Sequence, residues 1–239
     1  LRGRGLGRIW RDAEPADAYT AFNLLHRNSL LEREGPSHTR LRALVAGAFG
    51  RGHVARLGSW VHGVAGRMVD ELAGRIDDAG SADLIGGLAA VLPVEVIAEL
   101  LGVPEPERSR LRGWSSAIVT MYEPATGPEA DARRAGAERA SAEFVEALRE
   151  LAAFRSTHPG PDMITDLLAA GPEPDEVVGT AALLLMAGHE ATVNVIGNGV
   201  LALLRHPTQW ERLLCEPALT ATAVEELIRY DPPLQLFER

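Results

Sequence analysis

The feature that most constrains this chain is a mostly apolar segment that begins at Asp175 and continues with helical periodicity to about Arg205. Asp175 and Glu176 suit the positively charged N-terminal end of a helix. Beyond that first turn the segment is apolar on nearly every side, which predicts a helix buried along most of its length. At 1.5 Å per residue the helix would be about 45 Å long. We therefore expect a mainly α-helical protein whose complete domain is larger than these 239 residues.

Helical periodicity also dominates the rest of the sequence. Apolar residues recur at three- and four-residue steps on both sides of the long segment, and prolines and glycines separate the runs. We therefore expect little β structure and a single domain over residues 1–239. The predicted helices cover 36–49, 54–72, 84–101 with Asp83 as its cap, 108–122, 129–156, 175–205, 207–215 and 219–230.

The composition excludes several classes of protein. The chain has 24 basic and 33 acidic residues, a net charge of −9, which argues against a nucleic-acid-binding surface. Cys215 is the single cysteine, so neither an internal disulfide nor a cysteine-based zinc cluster can form. We find no signal peptide and no apolar run of the roughly 20 residues that a membrane span requires, so we expect a cytoplasmic protein. All 24 basic residues are arginine, which is typical of GC-rich bacterial genomes.

The middle of the long segment contains two residues that are unfavourable in a buried helix. Gly188 costs about 1 kcal/mol relative to Ala. The carboxylate of Glu190 costs more in an apolar wall unless it is paired or wetted. The pair indicates either a functional site or a close helix crossing at Gly188 with a hydrogen-bonded Glu190. His189 and Glu190 begin like the zinc-protease motif, but Val193 stands where that motif needs a second histidine, so a zinc site is excluded.

Two further pairs of polar residues are spaced to share a helix face. His38 and Arg42 are four residues apart, so together they could grip a carboxylate or a phosphate. The alternative is an ordinary solvated helix face. Glu226 and Arg229 are three residues apart and, taken alone, indicate a surface ion pair.

In this order along the chain, these motifs resemble the cytochrome P450 family, specifically its soluble bacterial, actinobacterial-type members. Glu34 to Arg42 is similar to the start of the family's helix C, and Leu92 to Pro104 is similar to helix E and the turn after it. Ala187 to Thr192 is similar to the oxygen-binding segment of helix I. Glu226 to Arg229 matches the E-x-x-R motif of helix K. The resemblance implies a partial P450 fold, from helix B′/C through helix K.

The resemblance also implies how a haem b cofactor would be bound. His38 and Arg42 match the helix C pair that binds the haem propionates, and Arg239 matches an arginine that contacts a propionate too. Ala187 and Gly188 match the kinked segment above the iron, where O₂ sits.

Other matched positions concern protons, structure and substrate. Glu190 matches the acid of the family's acid–alcohol pair, which helps to deliver protons to bound oxygen. Glu226 and Arg229 match a structural ion pair. The segments 10–31, 114–127 and 233–236 match regions that shape the substrate pocket, and the residues expected to line it are Leu183, Met186 and Leu234.

Two departures from the family pattern matter. Ala191 occupies the position of the usual alcohol, and Thr192 follows one residue later, about 100° further around the helix. We therefore expect a substrate hydroxyl or an ordered water to complete the proton relay. The axial cysteine of the family lies in a loop well after E-x-x-R, and the sequence ends at Arg239 before such a loop. Cys215 precedes the motif and lacks the loop, so we assign no metal ligand in this chain and expect an internal fragment, inactive alone and lacking the family's first elements as well.

The resemblance predicts a haem-thiolate monooxygenase that inserts one oxygen atom of O₂ into a small organic substrate, in secondary metabolism by association with GC-rich bacteria. Its expected redox partners are a ferredoxin and a ferredoxin reductase, and Arg40 and Arg51 could face an acidic partner. We expect no nucleic-acid or membrane partner. The alternatives are a truncated, non-catalytic relative and an unrelated all-α ligand-binding regulator.

Overall fold

The computed structural model describes residues 20–50, 52–122 and 126–234. These residues form helices and helical turns and contain no β-strand, so the mainly α-helical prediction is confirmed. None of the described helices is both long enough and apolar enough to cross a membrane. The helices are α1 (Thr20–Arg27), α2 (Gly35–Gly50), α3 (His53–Ala79), α4 (Leu92–Leu101), α5 (Glu105–Val119), α6 (Gly127–Thr157), α7 (Met163–Ala169), α8 (Pro174–Arg205), α9 (Pro207–Cys215) and α10 (Thr220–Tyr230).

The described residues divide into two compact units. The first comprises the described parts of 1–61 and 94–187. Its core is built on α5 and α6, where the Trp114 and Phe144 rings stack with centroids 5.4 Å apart. The narrow apolar stripe of α6 and the first half of α8 are buried in the same core. Its largest fully buried side chains include Leu25, Leu101, Leu111, Ile118, Phe144, Met163, Ile164, Leu167 and Leu185.

The second unit comprises 62–93 and the described part of 188–237. Two glycines of α8 allow close packing within this unit. A Cβ atom at Gly197 would lie 2.9 Å from Ile85 Cδ1, and one at Gly199 would lie 3.3 Å from Leu227 Cδ1 of α10. Small residues at these positions therefore let neighbouring elements approach the helix backbone.

The single helix predicted over 84–101 is wrong in its first half. Residues Ile85–Ala89 form a π-helical turn, and the α-helix begins only at Leu92. Gly86 and Gly87 weaken helix formation, and Pro93 cannot donate the hydrogen bond that a continuous helix would require. Asp83 nevertheless caps this segment, because its Oδ1 accepts from the Gly86 amide at 3.1 Å.

The long helix α8 has the predicted bounds, and the described residues bury its first half more fully than its second. Its first half is buried, with Val177, Val178 and Ala181 almost inaccessible. Its second half is partly exposed, and Leu204 is 65% exposed. The apolar periodicity therefore predicted the helix correctly but not how much of it the described residues cover.

Candidate functional site

The cofactor-binding candidates of the first unit lie on α2. His38 is half-buried and Arg42 is exposed, one helical turn apart, while Leu41 and Val45 beside His38 are buried. Among the described residues, neither the His38 nor the Arg42 side chain has a hydrogen-bond or ion-pair partner. Both side chains can therefore donate to a ligand. A neutral or charged imidazole beside a guanidinium fits a group that carries carboxylates, as haem does.

Arg40 lies on the side of α2 opposite to His38 and Arg42 and is committed to another contact. Its Nη2 donates to Oε1 of Glu176, in the first turn of α8. The sequence suggested Arg40 and Arg51 for a surface that faces a redox partner. Arg40 is paired with Glu176 of the same unit, and Arg51 lies outside the described residues. The hydrogen bond to Glu176 raises the pKa of Arg40 above its ordinary value.

Glu176 is a functional candidate that sequence reasoning missed. It is only 6% exposed, and its Oε2 accepts from the Glu173 amide at 3.1 Å. Burial is the largest single influence and raises the pKa of Glu176. The hydrogen bond from Arg40, the backbone hydrogen bond and nearby positive charge outweigh it and hold the pKa below its ordinary value. The available sequence signal was the acid at Glu176 in the first turn of a proline-started helix, where a glutamate side chain can accept from the amide three residues earlier.

The middle of α8 is helical throughout. The α-helix continues through Ala187 to Thr192, and the kink that the family resemblance implies there stays a prediction. Glu190 is exposed, so its carboxylate is wetted and carries little burial cost, whereas His189 is buried. Ala187, the last residue of the first unit, is also exposed.

The hydroxyl of Thr192 is used within the helix. Its Oγ1 donates to the Gly188 carbonyl oxygen at 2.9 Å. Ala191 is half-buried and has no hydroxyl to offer. The segment therefore contains the carboxylate of Glu190 but no hydroxyl group directed to the same side of the helix.

The expected substrate-lining residues have different environments. Met186 is buried in the core of the first unit, Leu183 is half-buried, and Leu234 of the second unit is 49% exposed. Arg239 lies outside the described residues, so its predicted contact stays a prediction.

In the second unit, Glu226 and Arg229 form a bidentate ion pair on α10. Arg229 Nε donates to Oε2 and Nη2 donates to Oε1, each at 2.7 Å. The hydrogen bond from Arg229 is the main influence that holds the pKa of Glu226 below its ordinary value, and the same contact raises the pKa of Arg229. Both side chains are exposed, and their structural role stays a prediction.

Sequence reasoning also missed a cleft of about 460 Å³ beside this pair. It is lined by the end of α8, by α9 and by α10, with Leu203, Leu213 and Leu227 as apolar walls and Glu226 at its edge. Within 20–50, 52–122 and 126–234 no group of three or more His, Cys, Asp or Glu side chains could hold a metal ion, and Cys215 is exposed.

Comparison with known proteins gives a consistent result. No protein-family model matches the chain. It is 40% identical over 210 residues to cytochrome P450 107B1 of Saccharopolyspora erythraea, covering 86% of this chain and 48% of that protein. It is 38% identical over 234 residues to the cytochrome P450 monooxygenase PikC of Streptomyces venezuelae, covering 95% and 52%. The chain spans about half the length of the curated relatives it matches.

A solved structure is similar in fold as well as in sequence. Cytochrome P450 PksS of the bacillaene polyketide synthase, from Bacillus subtilis 168, superimposes with a TM-score of 0.76 at 33% identity. The match covers 89% of this chain and 53% of that chain.

Proposed function

Because the chain belongs to the bacterial cytochrome P450 family, we propose that the protein is a cytoplasmic haem-thiolate monooxygenase. It uses O₂ and electrons from a ferredoxin and its reductase to insert one oxygen atom into a small organic substrate. The observation that carries the proposal is the family's ordered set of motifs on α2, α8 and α10. The comparisons favour neither a non-catalytic relative nor an unrelated ligand-binding regulator.

His38 and Arg42 would hold the haem through its propionates. They lie one turn apart and are not engaged by other described residues, as a carboxylate-binding pair requires. When bound, the haem supplies oxygen activation, which no amino-acid side chain provides. The chain's own residues bind and orient it. Cys215, exposed at the end of α9, is not proposed as its axial ligand.

Haem retention tests this assignment. In the protein expressed from its complete reading frame, His38→Ala and Arg42→Ala should each release haem about tenfold faster, because each loses a charge-assisted hydrogen bond worth about 1.5–3 kcal/mol. Arg67→Ala on α3, an exposed arginine outside the proposed site, is the control and should change little. Haem transfer to an apo-globin acceptor measures the rate. Equal rates in all three variants would contradict the assignment.

Proton delivery would begin at Glu190, whose exposed carboxylate can exchange protons with water. The alcohol that usually follows the acid is absent at Ala191, and the Thr192 hydroxyl is directed to Gly188 O. We therefore propose that a hydroxyl group of the substrate, or a water held beside it, completes the relay. The similar protein PksS is a cytochrome P450 of a polyketide synthase, which supports a secondary metabolite as the substrate class.

A hydroxyl group at position 191 should remove the dependence of the proton relay on the substrate hydroxyl or on water. Ala191→Thr should raise the fraction of electrons recovered as product by roughly twofold or more for a substrate that lacks the nearby hydroxyl, because a positioned proton donor speeds the step. Val193→Thr, which adds a hydroxyl elsewhere on the helix, is the control. Product yield per electron consumed is the measurement. No gain from Ala191→Thr would show that the relay does not depend on substrate or water.

A further inference from the structure

Helix α2, which carries the proposed haem-binding pair, also makes a side-chain contact on the side opposite to that pair. Arg40 projects from the side of α2 opposite to His38 and Arg42, and its guanidinium donates to Glu176. The two residues are 136 positions apart in the chain, so the contact joins distant elements. A contact on the far side of a helix opposes rotation of that helix about its own axis.

Glu176 is well suited to be the fixed end of this contact. Both of its carboxylate oxygens are used, Oε1 by Arg40 and Oε2 by the Glu173 amide. It is buried in the first turn of α8, where the helix dipole favours a negative charge. Its neighbours Val177 and Val178 are packed in the core, so the side chain starts from a rigid backbone.

The adjacent residue makes an ion pair of a different kind. Asp175 Oδ1 accepts from Arg149 Nη2 at 2.8 Å, but these side chains are 46% and 52% exposed. This pair joins α8 to α6 and does not reach α2. An exposed pair of this type contributes little, because solvent screens it and both side chains lose freedom.

We propose that Glu176 is a positioning residue that, through Arg40, fixes the rotation of α2 and thereby the direction in which His38 and Arg42 face. The inference rests on the proposed function only in taking haem as the ligand that His38 and Arg42 bind. The restraint on α2 itself follows from the contacts of the first unit. Packing of Leu41 and Val45 holds α2 in place, and the Arg40–Glu176 contact sets its rotation about its own axis.

The test compares Glu176→Gln with Asp175→Asn in the protein expressed from its complete reading frame. Each variant replaces a carboxylate by its amide at neighbouring positions of one helix turn. Glu176→Gln should increase hydrogen–deuterium exchange of the α2 amides and speed haem loss about tenfold, a change equivalent to about 1.4 kcal/mol. Asp175→Asn should leave the α2 amide exchange and the rate of haem loss within about twofold of the unsubstituted protein, since the Asp175–Arg149 pair is exposed.

Arg40→Ala and Arg40→Lys provide the second pair of variants, at a half-exposed position where folding is not at risk. Arg40→Ala should match Glu176→Gln, and Arg40→Lys, which keeps the charge, should recover most of the haem retention. Equal α2 exchange in Glu176→Gln and Asp175→Asn would overturn the inference. An unsubstituted protein that binds no haem would instead contradict the proposed function, while a difference in α2 exchange would still uphold the positioning contact.

Discussion

Asp162→Ala is expected to lower the free energy of unfolding by about 3 to 5 kcal/mol, because it removes one partner of a buried ion pair. Asp162 is 4% exposed and precedes α7. Its Oδ1 caps that helix by accepting from the Thr165 amide at 2.9 Å, and its Oδ2 lies 2.7 Å from Arg155 Nε. The second contact is a close ion pair and not a well-aligned hydrogen bond. Its loss leaves the Arg155 charge largely buried without its counterion.

The consequences extend beyond α7, since Arg155 also donates to the Gly102 carbonyl oxygen at 3.1 Å. Gly102 has a φ of +76° and no room for a side chain, because a Cβ atom there would lie 2.5 Å from Asp162 Cγ. Asp162 therefore joins the end of α4, the end of α6 and the start of α7.

Urea-induced unfolding followed by circular dichroism measures the effect of Asp162→Ala. Glu129→Ala is the matched control, because it removes a carboxylate that pairs with Arg133 on the exposed surface of α6. That pair is worth about 0.3–0.5 kcal/mol. If the free energy of unfolding of Asp162→Ala fell by less than about 1 kcal/mol, the Asp162–Arg155 contact would not stabilise the fold as expected.

Gly179→Ala is expected to destabilise the protein by about 1 to 3 kcal/mol, the usual result of adding a methyl group to a close contact. A Cβ atom at Gly179 would lie 2.7 Å from the Asn28 carbonyl carbon and 2.9 Å from the Leu25 carbonyl oxygen. Both are backbone atoms, which cannot move aside as a flexible side chain can. The segment after α1, which the family resemblance associates with the substrate pocket, would have to shift.

Gly136→Ala on α6 is the control for Gly179→Ala. Nothing lies within 4 Å of a Cβ atom at Gly136, and alanine forms helices better than glycine. Gly136→Ala should therefore stabilise the protein by about 0.5–1 kcal/mol. Thermal unfolding of the two variants should shift in opposite directions, and a stabilised Gly179→Ala variant would refute the close contact.

The sequence predicted the features that depend on local signals. Proline and helical periodicity place the ends of α8, α9 and α10 within one or two residues of their observed bounds. The spacing of His38 and Arg42 places them on one side of a helix without knowledge of the fold. The π-helical turn at Ile85–Ala89 was also locally encoded, by two glycines and Pro93, but the apolar pattern outweighed those signals.

The features that the sequence did not predict depend on residues far apart in the chain. Nothing near Arg40 in the sequence indicates that its partner is Glu176. The exposure of Glu190 and of the second half of α8 depends on which elements cover the helix, and apolar residues alone do not report that. The resemblance to a family supplied the proposed roles, whereas the contacts that support or redirect them came from the structure.

The carbon monoxide spectrum of the reduced protein, expressed from its complete reading frame, tests the central claim most directly. Thiolate ligation gives the haem a distinctive spectrum. We expect that spectrum for the unsubstituted protein and for Cys215→Ser alike, because Cys215 is exposed and is not the proposed ligand. Absence of bound haem, a spectrum of the histidine-ligated type, or loss of the thiolate spectrum in Cys215→Ser would contradict it.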